Sequence, residues 1–164
     1  MQKNADFFDE LSVDYDEMIR FNESLKRRKN LLNNFIPPGM KTAADIGCGS
    51  GLDSISLALN GLTTTAFDSS AMMLEQAKQN ALKHNVNVSF VHLPLEKINA
   101  SLYNNYDMIV SLGNTLANLN KQNLRKGVNK IFKMLKPKRL FLMQILNYEH
   151  LLLNKERIVN ITAN

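Results

Sequence analysis

The sequence predicts an α/β fold built on a mainly parallel sheet with helices on both faces. Along most of the 164 residues, short apolar runs of strand length alternate with longer amphipathic stretches of helical period. A glycine-rich turn, GCGSG at 47–51, separates the first predicted strand from the helix that follows it. The run YDMIVSLG at 106–113 is apolar almost throughout, as expected of a strand covered on both faces. Together these observations indicate a doubly wound, Rossmann-like sheet.

The first half of the chain gives two predicted strands and the helices around them. A helical segment is expected from roughly Asp16 to Phe35, because the Pro-Pro-Gly at 37–39 stops a helix. TAADIG is the first strand, and GLDSISLALNG follows at helical spacing with Gly61 as its stop. TTTAFD is short and β-branched, which predicts a second strand ending in Asp68.

The second half continues the alternation. Ser69 or Ser70 is the predicted N-cap of the helix SSAMMLEQAKQNALKHN, in which Met73 is one of the apolar residues on the inner face. VNVSFVHL and YDMIVSLG are the third and fourth strands. Pro137 is expected to end the next helix, and RLFLMQIL to form the fifth strand, before a last helix over Tyr148–Val159. The inward residues predicted for the helix that precedes Pro137 are Leu124, Val128, Ile131, Phe132 and Leu135.

Composition indicates one domain of an ordinary globular class. No repeat or linker divides residues 1–164, and no apolar run approaches the roughly 18 residues that a membrane span needs. The N-terminus lacks the apolar stretch of a signal peptide, and the single Cys48 allows no internal disulfide, so we predict a cytoplasmic protein. The net charge of +5 is concentrated in KRRK at 26–29 and in the acid-free segment 121–139, which we interpret as solvated helix faces.

The glycine turn is the predicted ligand site, because ligands of such folds bind beyond the carboxyl ends of the strands. The spacing is Gly47-x-Gly49-x-Gly51, whereas the dinucleotide fingerprint requires a small residue where this chain has Leu52. The turn also lacks the lysine of a phosphate-binding P-loop, and Asp53 would repel a pyrophosphate. A nicotinamide-dependent oxidoreductase is therefore disfavoured.

Two carboxylates accompany the turn. Asp45 lies near the end of the first strand, and Asp68 closes the second, where an acid can accept hydrogen bonds from two ribose hydroxyls. A pocket flanked by acids suits a nucleoside that carries positive charge and no phosphate. S-adenosylmethionine is such a molecule.

Four segments resemble the class I S-adenosylmethionine-dependent methyltransferases and occur in the order of that family. They are AADIGCGSGLDSISLA, TAFDSSAMMLEQAKQNA, YDMIVSLGNTLANL and FKMLKPKRLFLMQILNYEHLL. SLGNTLANL and LMQILNY are most similar to the small-molecule branch that includes glycine and sarcosine N-methyltransferases. The resemblance implies a cofactor-binding core over 40–153 and an N-terminal helical segment, 1–36, that lies over the cofactor.

The resemblance also implies roles for individual residues. Gly47 and Gly49 would pass beneath the cofactor while Asp45 shapes the loop; Asp68 would hold the ribose hydroxyls. The full implied cofactor-binding set is Tyr15, Asp45, Gly47, Cys48, Gly49, Asp68, Ser69, Met73, Leu95 and Leu112, and Asn114 and Thr115 would face the methyl acceptor. We assign no catalytic base and no metal ligand.

Two positions depart from the family pattern. Pro94 stands where an acid or Asn commonly receives the adenine amine, so Glu96 or a backbone carbonyl is the expected acceptor. The family's usual last two strands have no counterpart before Asn164, so we expect an open sheet edge that a partner chain, such as a second copy, would cover.

The expected reaction is in-line transfer of a methyl group to a small acceptor, at an amine nitrogen. The chain has no second Cys for pyrimidine-carbon methylation and no Asn-Pro-Pro-aromatic stretch of the kind used on adenine; SLGNT stands there instead. Two alternatives stay open. One is a catalytically incomplete cofactor-binding module or partner subunit, and the other is an RNA methyltransferase that uses the acid-free segment 121–139.

Overall fold

The computed structural model describes residues 2–12 and 14–153, which form a five-stranded parallel sheet with helices on both faces. The strand order is β3-β2-β1-β4-β5, so the winding direction reverses between β1 and β4. This order confirms the predicted doubly wound sheet. The strands are β1 (Thr42–Ile46), β2 (Thr63–Asp68), β3 (Val88–His92), β4 (Tyr106–Ser111) and β5 (Leu135–Met143).

Seven helices accompany the sheet within the described residues: α1 (Gln2–Leu11), α2 (Tyr15–Met18), α3 (Phe21–Asn33), α4 (Leu52–Leu59), α5 (Ala71–Lys83), α6 (Lys121–Met134) and α7 (Tyr148–Leu153). Alternate residues of β4 point to opposite faces, as the two-residue period of a strand requires. Met108 packs with Leu32 of α3 and Leu57 of α4, whereas Ile109 packs with Ile131 of α6. None of the described helices has the length and apolar character to cross a membrane.

The limits of two predicted elements are different in the structure. The helical segment expected over 16–35 consists of two helices, α2 and α3, because Arg20 adopts a left-handed conformation between them (φ 49°). Helix α6 ends at Met134, and Pro137 lies inside β5, next to a register shift against β4. An edge strand tolerates a proline and a bulge because its outer backbone groups need no strand partner.

Phe132, predicted to face inward, is 61% exposed and packs edge-on against Phe141 instead. The buried positions of α6 are Gly127, Ile131 and Met134, and Phe132 is turned about 100° from Ile131 around the helix axis. Of the last predicted helix, 148–159, only α7 falls within the described residues.

The outer edge of β5 pairs with no other strand in the described part of the chain. Exposed apolar residues lie on and just beyond this edge, among them Met143 and Ile145. Covering of the edge by a partner chain stays a prediction.

Candidate functional site

A cavity of about 920 Å³ lies over the carboxyl ends of β1, β2 and β4, where the strand order reverses. We call it the carboxyl-end cavity. Its floor is the glycine turn, its sides are the residues that follow β2, β3 and β4, and its roof includes Phe8 and Tyr15 from α1 and α2. This is the position at which doubly wound sheets bind ligands.

The glycine turn is tied to the sheet and packed from above. The amides of Gly47 and Cys48 donate to the Phe67 carbonyl of β2 at 2.8 and 3.1 Å. Gly47 has φ of 75°, and a β-carbon there would lie 2.1 Å from Cγ2 of Thr115. Gly47 is therefore required both by backbone conformation and by the close approach of the 3₁₀ turn Thr115–Asn118.

Asp68 links the turn to the second strand. Its Oδ2 accepts a hydrogen bond from the Gly49 amide at 2.8 Å, and its Oδ1 accepts one from the Ser70 amide at 2.9 Å. Burial raises the pKa of Asp68, and the backbone hydrogen bonds oppose that rise. Because a carboxylate oxygen can accept more than one hydrogen bond, this half-buried side chain keeps acceptor capacity toward the cavity.

Asp45 lies beneath the turn and outside the cavity wall. Its side chain is buried, and Oδ2 accepts a 2.7 Å hydrogen bond from Ser54 Oγ on α4. Burial raises the pKa of Asp45 well above its usual range, and the nearby Asp53 adds to the effect. The contact with Ser54 joins the end of β1 to the helix that follows the turn.

The N-terminal helices dock on α5 through two acids. Asp9 Oδ1 accepts hydrogen bonds from Ser70 Oγ at 2.5 Å and from the Met72 amide at 3.3 Å. Asp16 Oδ2 accepts from Gln76 Nε2 at 2.5 Å and from Asn80 Nδ2 at 2.7 Å. Ser70 is also the N-cap of α5, as predicted, since its hydroxyl accepts from the Met73 amide. These contacts hold α1 and α2 over the cavity.

Tyr15 lies above Gly49, where an added β-carbon would be 3.7 Å from the ring. Burial, with the negative charges of Asp53 and Asp68, raises the pKa of the Tyr15 hydroxyl, which keeps it protonated. Burial also raises the pKa of the Cys48 thiol well above its usual range, with Asp45 and Asp68 adding to the rise. Cys48 is therefore a neutral, small side chain of the turn and not an activated nucleophile.

An ion pair in the cavity wall was missed from the sequence. A guanidinium nitrogen of Arg28 lies 3.0 Å from Asp53 Oδ1. Burial raises the pKa of Asp53 to about 6, against the lowering effect of Arg28. In the sequence, Arg28 belongs to KRRK at 26–29, which we interpreted as a solvated helix face. Its spacing of seven residues from Phe21 and four from Leu32, both buried on α3, was the signal that it faces inward.

Most of the predicted site residues meet around the cavity. Ten line it: Tyr15, Gly47, Cys48, Gly49, Asp68, Ser69, Met73, Leu95, Leu112 and Thr115. Asp45 and Asn114 do not. The Asn114 amide donates to the Tyr148 hydroxyl, and its oxygen accepts from the Leu146 amide at 3.1 Å, so it ties the end of β4 to α7. His92, Pro94 and Glu96 also line the cavity, and His92 Nε2 lies 2.9 Å from the Ser69 carbonyl oxygen.

The cavity's charges fit a cationic nucleoside better than a phosphorylated one. Four acids line it (Asp9, Asp53, Asp68 and Glu96), against the cations Arg28 and Lys97, and Arg28 is already paired. In the described residues, no cluster of three or more His, Cys, Asp or Glu side chains could hold a metal ion. S-adenosylmethionine, with its sulfonium, ammonium and ribose diol, fits this set of residues.

Comparison with known proteins extends the assignment. The sequence profile of the family described as "Methyltransferase domain" matches residues 43–138. A glycine/sarcosine N-methyltransferase of Halorhodospira halochloris is 27% identical over 154 residues, which cover 90% of this chain and 53% of that protein. Human glycine N-methyltransferase is 27% identical over 128 residues, covering 70% and 43%. The chain thus spans about half, or less, of the length of the curated relatives that it matches.

Solved structures agree with the sequence comparison. The crystal structure of a putative S-adenosyl-L-methionine-dependent methyltransferase from Methanococcus maripaludis superposes with a TM-score of 0.69 at 26% identity, over 82% of this chain and 62% of that one. A protein from Pyrococcus horikoshii shares the fold, with a TM-score of 0.72 at 20% identity over 92% of this chain and 67% of that one. The profile match, the sheet order and these neighbours agree, so the chain belongs to the methyltransferase-domain family, in its class I, S-adenosylmethionine-dependent branch.

Proposed function

We propose that this chain binds S-adenosylmethionine in the carboxyl-end cavity and transfers its methyl group to a small amine. One observation carries the proposal: Asp68 leaves β2 beside the glycine turn, bonded to the Gly49 amide, in a cavity rich in acids. This geometry supports the ribose role that the sequence predicted for Asp68. The amine acceptor is proposed because the relatives include proteins named glycine and sarcosine N-methyltransferases.

The chain's own residues would bind, orient and exclude water. S-adenosylmethionine supplies a methyl group on a sulfonium, which is already a good leaving group. Asp68 would accept hydrogen bonds from the ribose hydroxyls, and the apolar side chains of Met73 and Leu95 would pack beside the nucleoside. The docked helices α1 and α2 would keep the cavity dry, so that positioning contributes most of the rate.

Of the two residues predicted to face the methyl acceptor, Asn114 and Thr115, only Thr115 lines the cavity. Its hydroxyl donates to the Leu112 carbonyl at 2.9 Å and lies 3.3 Å from the Gly47 carbonyl oxygen, so it also braces the turn. Asn114 would act through the segment that it ties to α7. Both acceptor roles stay predictions.

Calorimetric titration with S-adenosylhomocysteine tests the cofactor part. We expect micromolar affinity, lowered roughly 10- to 100-fold by Asp68→Ala, because hydrogen bonds to a charged group are lost. Asp68→Asn retains one acceptor oxygen for the turn and removes the charge, so it separates ligand recognition from loop structure. Glu75→Gln, an exposed acid on α5 paired with Lys78, is the matched control. Unchanged affinity in Asp68→Ala would remove the ribose role.

A methylation screen with labelled S-adenosylmethionine against amines, small acids and RNA tests the transfer. Binding without turnover of any acceptor favours the alternative of a cofactor-binding module. The RNA alternative draws on the basic segment 121–139, but several of its cations are engaged. Lys130 donates to the carbonyls of Glu96 and Ile98, and Lys136 and Arg139 pair with Asp107. RNA retention that falls steeply with salt would support that alternative.

A further inference from the structure

Helix α6 has a glycine in its interior that the helix itself does not need. Gly127 is buried and lies midway along Lys121–Met134. Its backbone is helical and its φ is not left-handed, so any residue could adopt this conformation. Glycine destabilises the interior of a helix relative to alanine, because it loses more backbone freedom on folding. The reason for a glycine at this position therefore lies in what packs against it.

Gly127 lies against Leu95, the first residue of the 3₁₀ turn Leu95–Lys97 that follows β3. A β-carbon at position 127 would be 2.5 Å from Leu95 Cδ2 and 3.1 Å from Leu95 Cγ. Leu95 also lines the carboxyl-end cavity, so its side chain lies between α6 and the cavity. The glycine therefore lets the turn lie directly against the helix backbone and keeps Leu95 from being pushed toward the ligand space.

Lys130 of α6 holds the same turn by hydrogen bonds. Its ammonium donates to the main-chain carbonyls of Glu96 and Ile98, the latter at 2.8 Å. Residues three apart lie on one face of a helix, so Gly127 and Lys130 contact the turn from the same side. A 3₁₀ turn of three residues has few hydrogen bonds of its own, and their geometry is poor. Charge-assisted hydrogen bonds from a neighbouring helix therefore contribute much of what fixes its position.

We propose that Gly127 and Lys130 are positioning residues for the nucleobase of the methyl donor. They hold the turn Leu95–Lys97 back against α6 and so keep the cavity wide enough for a purine ring beside Leu95. The inference rests on the proposed function, in which the nucleoside packs against Leu95. Gly127 and Lys130 do not line the cavity themselves, so both act through the turn and not by touching the ligand.

Two ligands that differ at the base test this directly. S-ribosylhomocysteine keeps the ribose and the amino-acid part of S-adenosylhomocysteine and has a hydroxyl in place of the adenine. By calorimetry, we expect the unmodified chain to prefer S-adenosylhomocysteine roughly 10- to 100-fold, the gain from burying one flat apolar group. Gly127→Ala should lower this preference about 5- to 10-fold by weakening S-adenosylhomocysteine alone, because the added methyl group overpacks the base side of the cavity. Binding of S-ribosylhomocysteine is then the internal check that the variant is folded.

A double variant tests whether Gly127 acts through Leu95. Leu95→Ala removes the two side-chain atoms that the added β-carbon would approach most closely. In the Leu95→Ala background, Gly127→Ala should therefore change the preference by less than about twofold, because the two positions are coupled through that contact. An equal fall in the preference in both backgrounds would contradict the proposal.

Lys130→Met keeps most of the apolar stem of the side chain and removes its ammonium. The carbonyls of Glu96 and Ile98 then lose a charged donor, and the preference should fall about 3- to 10-fold. Lys130→Arg should retain most of the preference, since a guanidinium can donate to both carbonyls. The matched control is Lys126→Met, which removes the same charge from an exposed position of α6 and should leave the preference unchanged.

The outcomes separate this inference from the proposed function. If Gly127→Ala and Lys130→Met weaken both ligands equally, or neither, the two residues serve the fold alone and the proposal is overturned. If the unmodified chain binds both ligands with the same affinity, the base does not reach the turn, and the proposal fails while cofactor binding stands. If the unmodified chain binds neither ligand, the proposed function fails and this inference fails with it.

Discussion

Both ends of the sheet contain buried or half-buried aspartates, but the protein provides these carboxylates with different numbers of partners. At the amino ends of the strands, both carboxylate oxygens of Asp107 on β4 have hydrogen-bond or ion-pair partners within the protein. At the carboxyl ends, Asp45, Asp53 and Asp68 each have fewer hydrogen-bond and ion-pair partners than Asp107. All four carboxylates lie on or beside the same five-stranded sheet, so the difference between them distinguishes what the fold requires from what the site requires.

Asp107 joins three strands. Its Oδ2 accepts hydrogen bonds from the amides of Lys41 and Thr42 at 2.9 and 3.0 Å, and from the Thr42 hydroxyl at 3.1 Å. Its Oδ1 pairs with Lys136 Nζ and Arg139 Nε, each at 3.2 Å. Burial by itself would raise the pKa of Asp107, but these hydrogen bonds outweigh it and hold the pKa well below its usual range. The carboxylate is a structural clamp between β1, β4 and β5.

The acids at the carboxyl end have fewer partners. Asp45 has the Ser54 hydroxyl, Asp53 has one guanidinium, and Asp68 has two backbone amides. Burial raises the pKa of each of them. Charge that the protein leaves under-compensated in a cavity is available to a ligand, which is why perturbed carboxyl groups gather at binding sites. The difference between the two ends therefore points to the cavity as the functional end.

The largest expected effect comes from breaking the clamp. Asp107→Asn keeps one acceptor oxygen but removes the charge between Lys136 and Arg139. Removing one partner of a buried ion pair costs about 3–5 kcal/mol, and because the two cations are about a third exposed, we expect the lower figure. Urea unfolding measures the loss. Affinity for S-adenosylhomocysteine should be nearly unchanged. A large loss of affinity with little loss of stability would show that Asp107 serves the site and not the fold.

The glycine turn offers the next largest effect, at the other end of the sheet. Gly47→Ala would introduce a β-carbon 2.1 Å from Thr115 Cγ2 at a left-handed backbone position. The conformational cost of about 1 kcal/mol and the overpacking cost of about 1–3 kcal/mol together give an expected destabilisation of about 2–4 kcal/mol. Thermal and urea unfolding measure it, and cofactor affinity should fall as well, since the turn is displaced.

Gly61→Ala is the matched control for this substitution. Gly61 is also left-handed, with φ of 84°, but a β-carbon there would meet nothing within 4 Å. It should cost only the conformational part, about 1 kcal/mol. Adding Thr115→Ala to Gly47→Ala should recover part of the difference by removing the clashing methyl group. An equal cost for the two glycine variants would show that the approach of Thr115 is not tight.

The features that depend on neighbouring residues of the chain could be predicted from the sequence. The five strands were predicted because each is apolar or β-branched and bounded by turn residues, and Ser70 was an expected cap because its hydroxyl bonds only three residues ahead. The glycine turn and Asp68 follow directly from strand ends, so their meeting at the switch point was foreseeable. Their ligand roles stay predictions.

The features that were missed depend on contacts distant along the chain. The partners of Asp107 lie 29 to 66 residues away, so no local pattern marks it. Pro137 looked like a helix stop, because proline ends helices. It is tolerated in β5 because β5 is an edge strand, and that position depends on the order of the whole sheet. Arg28 is one of four consecutive cations, which indicated an exposed helix face. Its helical spacing from the buried Phe21 and Leu32 indicated instead that it faces inward.

The smallest expected effect is on how the free energy of unfolding depends on pH, and it differs between the two ends of the sheet. Asp107 has a lowered pKa in the folded state, so its contribution to stability is present above about pH 4 and is lost as the pH falls below that value. Asp53 has its pKa raised to about 6, so the folded state holds its proton where the unfolded state has lost it. Its effect has the opposite sign: stability falls as the pH rises from about 4 to about 6 and is level above that.

Asp53→Asn should therefore flatten the decline between pH 4 and 6 by an amount on the order of 1 kcal/mol, because the variant has no carboxyl group that titrates over this range. Urea unfolding at half-unit steps of pH measures the slope. Asp107→Asn should leave this limb unchanged and remove the acid limb below about pH 4. A decline that survives Asp53→Asn at full size would assign it to Asp45 and Asp68, whose pKa values are also raised by burial. The comparison between the two ends would then rest on those two carboxylates alone.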